Sequence, residues 1–471
     1  MTHGMAEGAC GLGEVEEAAL SLVKPSPREE KEAARRAQEA LEAAETALRG
    51  AGYSGYTLSI EGSFAKGTWL RGELDIDIFA LFEPHTCLVA VKGFAEKVAQ
   101  VLREMGYRVA LRYAQHPYVR FLVRDVWAEL VPACRVSDPS HILTPVDRTP
   151  FHREYVNRVL DDRQKDEVRL LKSFMKGVGV YGAETAVEGF SGYMAELLIA
   201  RYGCFRRLVA SASKWKPPVC LDGCRDDSQA KAMYMPDPVD PRRNAAAAVS
   251  KRSLSTFILA SKLYQDRRCL YYFHAAQPPP PETSPWMWGS RLSNIALLLV
   301  QPGGEVAPDT LWGIVKRLEK AIRNQLRTYG FRVLYASPAV EEAGASAIRG
   351  AVYIEVEENP LPGYMLAEGP PAWGPGGRVA GFLAAHGGIV TEEGLLAARR
   401  PRRIRRLDEA LGRILPAVTP SSLHRIGGRV SLLYGLRAAE EASRIGGRWA
   451  WEAVATRHYW VHLVVEKCGQ R

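Results

Sequence analysis

Gly62-Ser63-Phe64-Ala65-Lys66-Gly67-Thr68, followed by Asp75-Ile76-Asp77-Ile78-Phe79, is the stretch whose reading decides the fold. Residues 76–82, Ile-Asp-Ile-Phe-Ala-Leu-Phe, are apolar enough to form a buried strand. Side chains two apart on a strand face the same way, roughly 6–7 Å along the chain. Asp75 and Asp77 can therefore bind metal ions from one edge, as a two-metal phosphoryl-transfer site requires. If Gly62-Ser63 opens a helix, its backbone N–H groups would cradle phosphate oxygens. A lone Asp-x-Asp reads as solvated strand-end carboxylates, and a lone Gly-Ser as a plain turn. Combined in one strand–loop–strand unit they read differently, because two like charges in an apolar strand are costly unless a cation joins them.

A third carboxylate is sought on a neighbouring strand. Tyr118–Val123, then Arg124-Asp125, then Val126–Pro132 has the pattern of a hairpin turning at Arg124-Asp125. Asp125 fits the turn. Glu129 lies mid-strand between apolar neighbours, where an unpaired charge is expensive, and is the metal candidate.

The 471-residue chain has room for about three domains. Its 47% hydrophobic and 24% charged residues are ordinary for a globular protein and exclude a disordered chain. A net charge of +9 and a pI near 9.1 suit a polyanionic partner. No apolar run approaches a membrane span, and the N-terminus lacks a basic-then-apolar signal layout, so a soluble, intracellular protein is expected. Eight cysteines are scattered. Cys220 and Cys224 are the only close pair, with no second pair or His pair to complete a zinc site, and read as structural or free thiols.

Residues 26–51 read as an amphipathic helix ahead of an α/β unit that runs to about Pro150. A helical domain follows. Residues 161–175 read as a helix, with Val168, Leu171, Phe174 and, just beyond, Val178 at helical spacing, and Ser191 is a plausible N-cap for Gly192–Tyr202, closed by Gly203. Residues 245–254 read as a further helix. Residues 277–285, Gln-Pro-Pro-Pro-Pro-Glu-Thr-Ser-Pro, form the clearest linker. Beyond it, β signals at 293–300, 330–335 and 351–357 bracket a helix at 307–329, an α+β pattern. Residues 363–377 are a Gly/Pro-rich break. Residues 399–406, Arg-Arg-Pro-Arg-Arg-Ile-Arg-Arg, precede a final aromatic segment at 449–465.

The chain resembles the archaeal CCA-adding enzymes, class I tRNA nucleotidyltransferases of the polymerase-beta-like superfamily. The likeness rests on Gly62-Ser63 with Asp75-Ile-Asp77, on His116-Pro-Tyr with Glu129-Leu-Val-Pro132, and on Asp147-Arg-Thr-Pro-Phe-His152. It continues through Asp166-Glu-Val-Arg-Leu-Leu-Lys172, Gly179-Val-Tyr181-Gly, Gly189-Phe-Ser-Gly-Tyr, Glu196-Leu-Leu198 and Asp237-Pro-Val-Asp240-Pro-Arg-Arg243-Asn. It covers most of residues 50–260, and the C-terminal third matches more loosely. Two positions depart from the family pattern. Glu129 stands where Asp is typical, and Lys66 where an Arg often follows the Gly-Ser loop, keeping the charge but losing the bidentate fork.

The resemblance implies a multidomain α+β protein. Its parts would be a polymerase-beta-like head with a mixed sheet (1–151), a helical central nucleotide-binding domain (152–276), and an α+β RNA-binding body and tail (286–471). It implies template-free addition of C, C and A to the tRNA 3′ end from CTP and ATP, with two Mg²⁺ held by Asp75, Asp77 and Glu129. Gly62, Ser63 and Lys66 would hold the triphosphate, His152, Lys172 and Tyr181 would contact triphosphate and sugar, and Asp240 would line the nucleotide site. Arg243 would read the Watson–Crick edge of the base. By pattern alone Lys172 reads as a solvated lysine, His152 and Tyr181 as partly buried structural groups, and Arg243 as an exposed residue near a helix start. Arg399, Arg400, Arg402, Arg403, Arg405 and Arg406 would meet tRNA backbone phosphate in a body that grips acceptor stem and T-arm by shape. A cytoplasmic homodimer with no membrane association completes the expectation. Two alternatives remain at this point: a poly(A)-type terminal transferase on the same fold, and a non-catalytic tRNA-binding protein with a decayed site.

Overall fold

The computed structural model describes residues 10–113, 117–224, 232–274, 278, 289–343, 346–455 and 457–468. The Pro-rich segment at 277–285, but for Pro278, and His116 lie outside the described residues. The chain divides into two compact units, Met1–Ala276 with Trp460–Arg471, and Gln277–Tyr459.

The first unit opens with helices α1 (Glu14–Val23) and α2 (Pro27–Gly50). Ser26 caps α2 in a reciprocal capping box with Glu29, and Pro27 occupies its first turn. Its buried stripe is Ala33, Ala37, Ala40, Ala44 and Ala47, small side chains that let the helix lie close to the sheet. The sheet is mixed. Strands β1 (Tyr56–Glu61), β2 (Asp75–Phe82), β3 (Val109–Tyr113), β4 (Pro117–Val123) and β5 (Val126–Cys134) run in the order β1-β2-β5-β4-β3. Only β2 and β5 pair in parallel. One turn of helix, α3 (Gly62–Ala65), follows β1 at once, while α4 (Pro84–Ala90) and α5 (Phe94–Glu104) follow β2.

The β4–β5 turn is where the sequence puts it, with Arg124 in the left-handed region at φ 58°. It is pinned to α2 by Arg124 on Glu39 (2.7 Å) and Asp125 on Arg36 (3.1 Å), so Asp125 is a turn residue held from outside.

The helical layer consists of α6 (Thr149–Val159), α7 (Asp162–Val178), α8 (Gly192–Tyr202) and α9 (Phe205–Ala212). A two-residue parallel pair, β6 (Val219–Cys220) and β7 (Met233–Tyr234), leads into α10 (Lys251–Asp266). Asp161 and Ser191 cap α7 and α8, and Gly179 and Gly203 close them at φ 79° and 80°. The helix expected at 245–254 begins six residues late. Asn244 accepts from the amides of Met235 and Ala246 and holds the alanines in turns, and Ser250 provides the N-cap. The core of this layer stacks Phe174, Phe190, Phe205, Phe257, Tyr264 and Tyr272.

The second unit is a four-stranded antiparallel sheet, β14-β8-β10-β9, built of β8 (Ile295–Gln301), β9 (Val333–Ala343), β10 (Ser346–Val356) and β14 (Arg429–Tyr434). One helix, Pro308–Thr328, packs on it through Leu311, Ile314, Val315, Leu318 and Ile322. A smaller sheet, β11-β13-β12, contains β11 (Tyr364–Pro371), β12 (Ile389–Val390) and β13 (Leu395–Pro401). The Gly/Pro-rich stretch is thus in part a strand. Its Pro370 and Pro371 fall at the strand's end, where β11 leaves its register with β13. No helix among the described residues is long and apolar enough to cross a membrane.

All eight cysteines are paired, as Cys10–Cys204, Cys87–Cys134, Cys220–Cys224 and Cys269–Cys468. Three of these pairs join residues 47 to 199 positions apart, which spacing in the sequence cannot show. Opening the Cys10–Cys204 loop with paired Cys→Ser substitutions should cost about 2–5 kcal/mol of unfolding free energy in non-reducing denaturant titration. A thiol titration of the unfolded, unreduced chain should find no free thiol, and several would disprove the pairing.

Candidate active site

Register builds the site. In the antiparallel β1–β2 pair Glu61 lies opposite Asp77, in the parallel β2–β5 pair Asp77 lies beside Glu129, and in the β4–β5 pair Glu129 lies opposite Arg120. One row across four strands therefore reads Glu61, Asp77, Glu129, Arg120. Asp75, two residues before Asp77, shares its face at the strand's exposed start. Arg120 Nη2 is 2.8 Å from Asp75 Oδ1, its Nε is 3.0 Å from Glu129 Oε1, and its guanidinium lies 5.1 Å from the Trp127 ring centre. Glu61 is wholly buried. Its Oε1 accepts from Ser59 Oγ (2.7 Å) and pairs with Arg153 (3.1 Å), while its Oε2 has no partner among the described residues.

The Gly-Ser loop closes over this row. Gly62 has φ 70°, and a Cβ there would stand 1.6 Å from Asp77 Oδ2. Only glycine leaves room for the carboxylate and adopts that backbone. Ser63 follows in α3, where its carbonyl accepts from the amide of Thr68 (2.9 Å).

Burial, reinforced by the charges of Glu129 and Asp75, pushes the Asp77 carboxyl up to about 7, and burial likewise raises Glu129. Acids this reluctant to ionise call for a compensating cation. The donors are carboxylate oxygens without soft atoms, which suits Mg²⁺. Asp75, Asp77 and Glu129 could hold it, although among the described residues no three His, Cys, Asp or Glu side chains already form a cage. Arg120 engages two of the three instead.

The lysines meet on the other side. Lys66 Nζ lies 2.5 Å from Glu196 Oε2, and Thr68 Oγ1 donates to Glu196 Oε1 (2.7 Å). Lys172 Nζ donates to the carbonyl of Thr68 (2.9 Å) and approaches Glu196 at 3.8 Å. Lys172 is thus a buried residue, 2% exposed, and not a solvated one. Burial brings its ammonium down to about 8, while the two lysines and Thr68 keep the fully buried Glu196 below the usual carboxylate range against the pull of desolvation. A Cβ on Gly192, at the start of α8, would lie 3.0 Å from the Tyr181 hydroxyl and 3.7 Å from Lys172 Nζ, so Tyr181 and Lys172 converge there.

His152 belongs to a separate knot. Its ring stacks on Tyr193 at 3.9 Å, and its Nε2 lies 2.9 Å from Asp237 Oδ2. Arg243 Nη1 donates to the same Asp237 oxygen (2.9 Å), and Lys66 stands 5.7 Å from the Tyr193 ring centre, tying this knot to the lysine cluster. Asp240 turns elsewhere, to Arg242 (3.1 Å) and Arg148 (3.6 Å). Glu61, Tyr193, Glu196 and Asp237 are the members that sequence reasoning did not single out. The last three stood inside motifs that carried the resemblance, and Glu61 immediately precedes the glycine of the loop.

In the second unit the six arginines divide. Five are exposed, Arg399, Arg400, Arg403, Arg405 and Arg406, but the last two, with Arg402, are engaged within the protein. Arg402 donates to the carbonyl of Tyr329 (3.2 Å), Arg405 to that of Leu361 (2.8 Å), and Arg406 grips Asp408 with both nitrogens (3.0 and 2.8 Å).

The raised Asp77 fixes a sign. Between the ordinary value of 3.8 and about 7 the folded chain keeps a proton that the unfolded chain has released. Metal-free stability therefore falls as pH rises through that window. In EDTA the Tm should drop from pH 5 to pH 8 more steeply for the wild type than for Asp77→Asn, and Mg²⁺ should flatten the difference. Parallel curves that ignore Mg²⁺ would remove Asp77 from the metal site.

Two family models match the chain, a nucleotidyltransferase domain over residues 42–140 and a tRNA nucleotidyltransferase second domain over residues 166–274. The CCA-adding enzyme of Sulfurisphaera tokodaii is 38% identical over 76% of this chain and 81% of its own length. Those of Sulfolobus acidocaldarius and Saccharolobus solfataricus are each 34% identical, over 84% and 83% of this chain and 89% of theirs. A poly(U) polymerase crystal structure aligns at TM-score 0.41 and 16% identity, over 55% of this chain and 98% of that one, and no conclusion rests on it. With relatives this similar over this much of its length, the chain belongs to the family of CCA-adding enzymes, the tRNA nucleotidyltransferases.

Proposed function

We propose that this tRNA nucleotidyltransferase adds C, C and A to the tRNA 3′ end at the Asp75, Asp77 and Glu129 carboxylates. The observation that carries the assignment is the row of Glu61, Asp77 and Glu129 on three adjacent strands, in one unit with two lysines on one buried glutamate. Asp75, Asp77 and Glu129 would hold two Mg²⁺, which when bound supply charge neutralisation at the triphosphate and a lower pKa for the attacking hydroxyl. Glu129 is one methylene longer than the usual Asp, and its Oε1 lies 3.0 Å from Arg120 Nε. The tRNA 3′ oxygen bonds to the α-phosphorus while the bond to the bridging oxygen breaks, and pyrophosphate departs.

Lys66 and Lys172 carry two positive charges against the single negative charge of Glu196, leaving an excess that a triphosphate would neutralise. Ser63 sits in the loop over Asp77, Tyr181 converges with Lys172, and His152 with Arg243 lies beside Lys66, an order that follows a nucleotide from phosphate to base. The second unit would hold the acceptor stem and T-arm as backbone, through its exposed arginines. Assembly as a homodimer completes the proposal.

Labelled CTP and ATP, offered with Mg²⁺ to tRNA transcripts ending before CCA, after C and after CC, should be added in order and then stop. Asp77→Ala should cut the rate at least about a hundredfold, the equivalent of a few kcal/mol of transition-state stabilisation. Unlimited ATP addition would instead make the chain a poly(A)-type enzyme, and no incorporation would make it a binding protein.

The exposed arginines generate a separate expectation. Replacing Arg399, Arg400 and Arg403 together by Ala should weaken tRNA binding and reduce the slope of log K against log salt by about 2–3. Replacing Arg402, Arg405 and Arg406 together, already engaged within the protein, should reduce it far less. Equal slopes for the two triple variants would show that internal pairing does not select the contacts.

A further inference from the structure

We propose that Asp237 is the positioning residue for nucleotide choice, a buried carboxylate that fixes both Arg243 and His152. The proposal rests on the reading that this site takes CTP and ATP.

An ionised carboxylate offers about four acceptor positions. Asp237 uses all of them inside the protein. Oδ1 accepts from the Tyr193 hydroxyl and from the amide of Val239, each at 3.0 Å. Oδ2 takes Arg243 Nη1 and His152 Nε2, each at 2.9 Å. The residue is 0% exposed. No acceptor is left over for a substrate, so Asp237 acts through its four donors.

Two of those donors, Arg243 and His152, are side chains held in a fixed arrangement. Arg243 has its side chain 37% exposed, while one nitrogen is tied to the buried acid. The backbone repeats the restraint, because Asp237 N donates to the Arg243 carbonyl (3.0 Å) and Arg243 N to that of Asp240 (2.8 Å). Loop and side chain are thus set by one residue at each end of a seven-residue segment. His152, flat against Tyr193 and held at Nε2, is fixed in the same way.

The chemistry needs such fixing. A guanidinium carries only donors in a rigid fork, while the hydrogen-bonding edges of cytosine and adenine each combine acceptors with a donor at different places. An arginine can favour one edge only if its fork cannot swing to suit the other. Released from Asp237, Arg243 would sample its many rotamers and accept either base with similar, weaker contacts. A base-reading arginine placed by a buried acid also removes water from that acid, so the pair cannot separate without leaving an unpaired charge.

The test is the steady-state addition of CTP and of ATP to tRNA ending before CCA, with Asp237→Asn, Arg243→Gln and the double variant. Asp237→Asn should lower kcat/KM for CTP by about tenfold or more, mainly through KM, and should shrink the preference for CTP over ATP. In the Arg243→Gln background the same change should have little further effect, the signature of two residues acting as one. An unaltered CTP/ATP preference, or losses that simply add, would overturn the proposal. If Asp237→Asn does not fold by circular dichroism, Tyr193→Phe, which removes one donor from the same carboxylate, must erode the preference, and an intact preference there overturns the proposal equally. A wild-type chain that adds neither nucleotide would instead refute the functional reading, and this inference with it.

Discussion

Three carboxylates on neighbouring strands, in a sheet whose core is apolar, are the constraint around which the first unit is arranged. Glu61, Asp77 and Glu129 are brought level by register alone, and a slip of one residue in either strand pair would turn a carboxylate to the opposite face. Every neighbour of the row answers to it. Arg120 spans Asp75 and Glu129, Arg153 reaches Glu61 from α6, and Gly62 gives up its side chain so that Asp77 can lie against the loop. Burial, with repulsion between neighbouring acids added to it, still raises Asp77 and Glu129 above the ordinary carboxylate range.

The helical layer supplies the opposite charge at an angle that the sheet cannot. Glu196 on α8 gathers Lys66 from the loop and Lys172 from α7, so three separate segments must be folded before the cluster exists. A single buried Glu among two lysines is stable as a group and costly in parts, since removing the acid would strand two ammonium groups away from water. Lys172, whose ammonium is brought down to about 8 by burial, would hold its charge more firmly beside an anion.

Much of the first unit was legible because local rules and tertiary needs coincide there. The alternation around Asp75 and Asp77, the Ser26, Asp161 and Ser191 caps, and the turn at Arg124-Asp125 each have a short-range cause that the chain states outright. Where the cause is distant, the sequence was silent. Cys10 and Cys204 are joined only because α1 and α9 are packed in the same layer. Residues 245–249 have helical composition, yet the Asn244 side chain accepts from the amides of Met235 and Ala246, and the helix starts only after the Ser250 cap. In residues 363–377 a strand forms where Gly and Pro argued for a break, because β13 offers a partner that no local count reveals. The arginine run is the same lesson in charge: six side chains in one segment, of which three are spent on the protein's own carbonyls and on Asp408.

Asp237 and Asp240 show the limit most sharply. Both stand in one short motif, both are acidic and both are buried, and nothing in their spacing says which one holds Arg243 and His152. Asp240 was the candidate from the sequence, yet its carboxylate meets Arg242 and Arg148, while Asp237 collects Tyr193, His152 and Arg243. What separates them is the Pro238-Val239 step, after which the amide of Val239 turns back onto Asp237 Oδ1. A side chain that bonds the amide two residues on is locked into its own turn. Asp240, buried as well, pairs with Arg242 and Arg148. One backbone hydrogen bond holds the Asp237 carboxylate in its turn, and Arg243 and His152 are placed against that carboxylate.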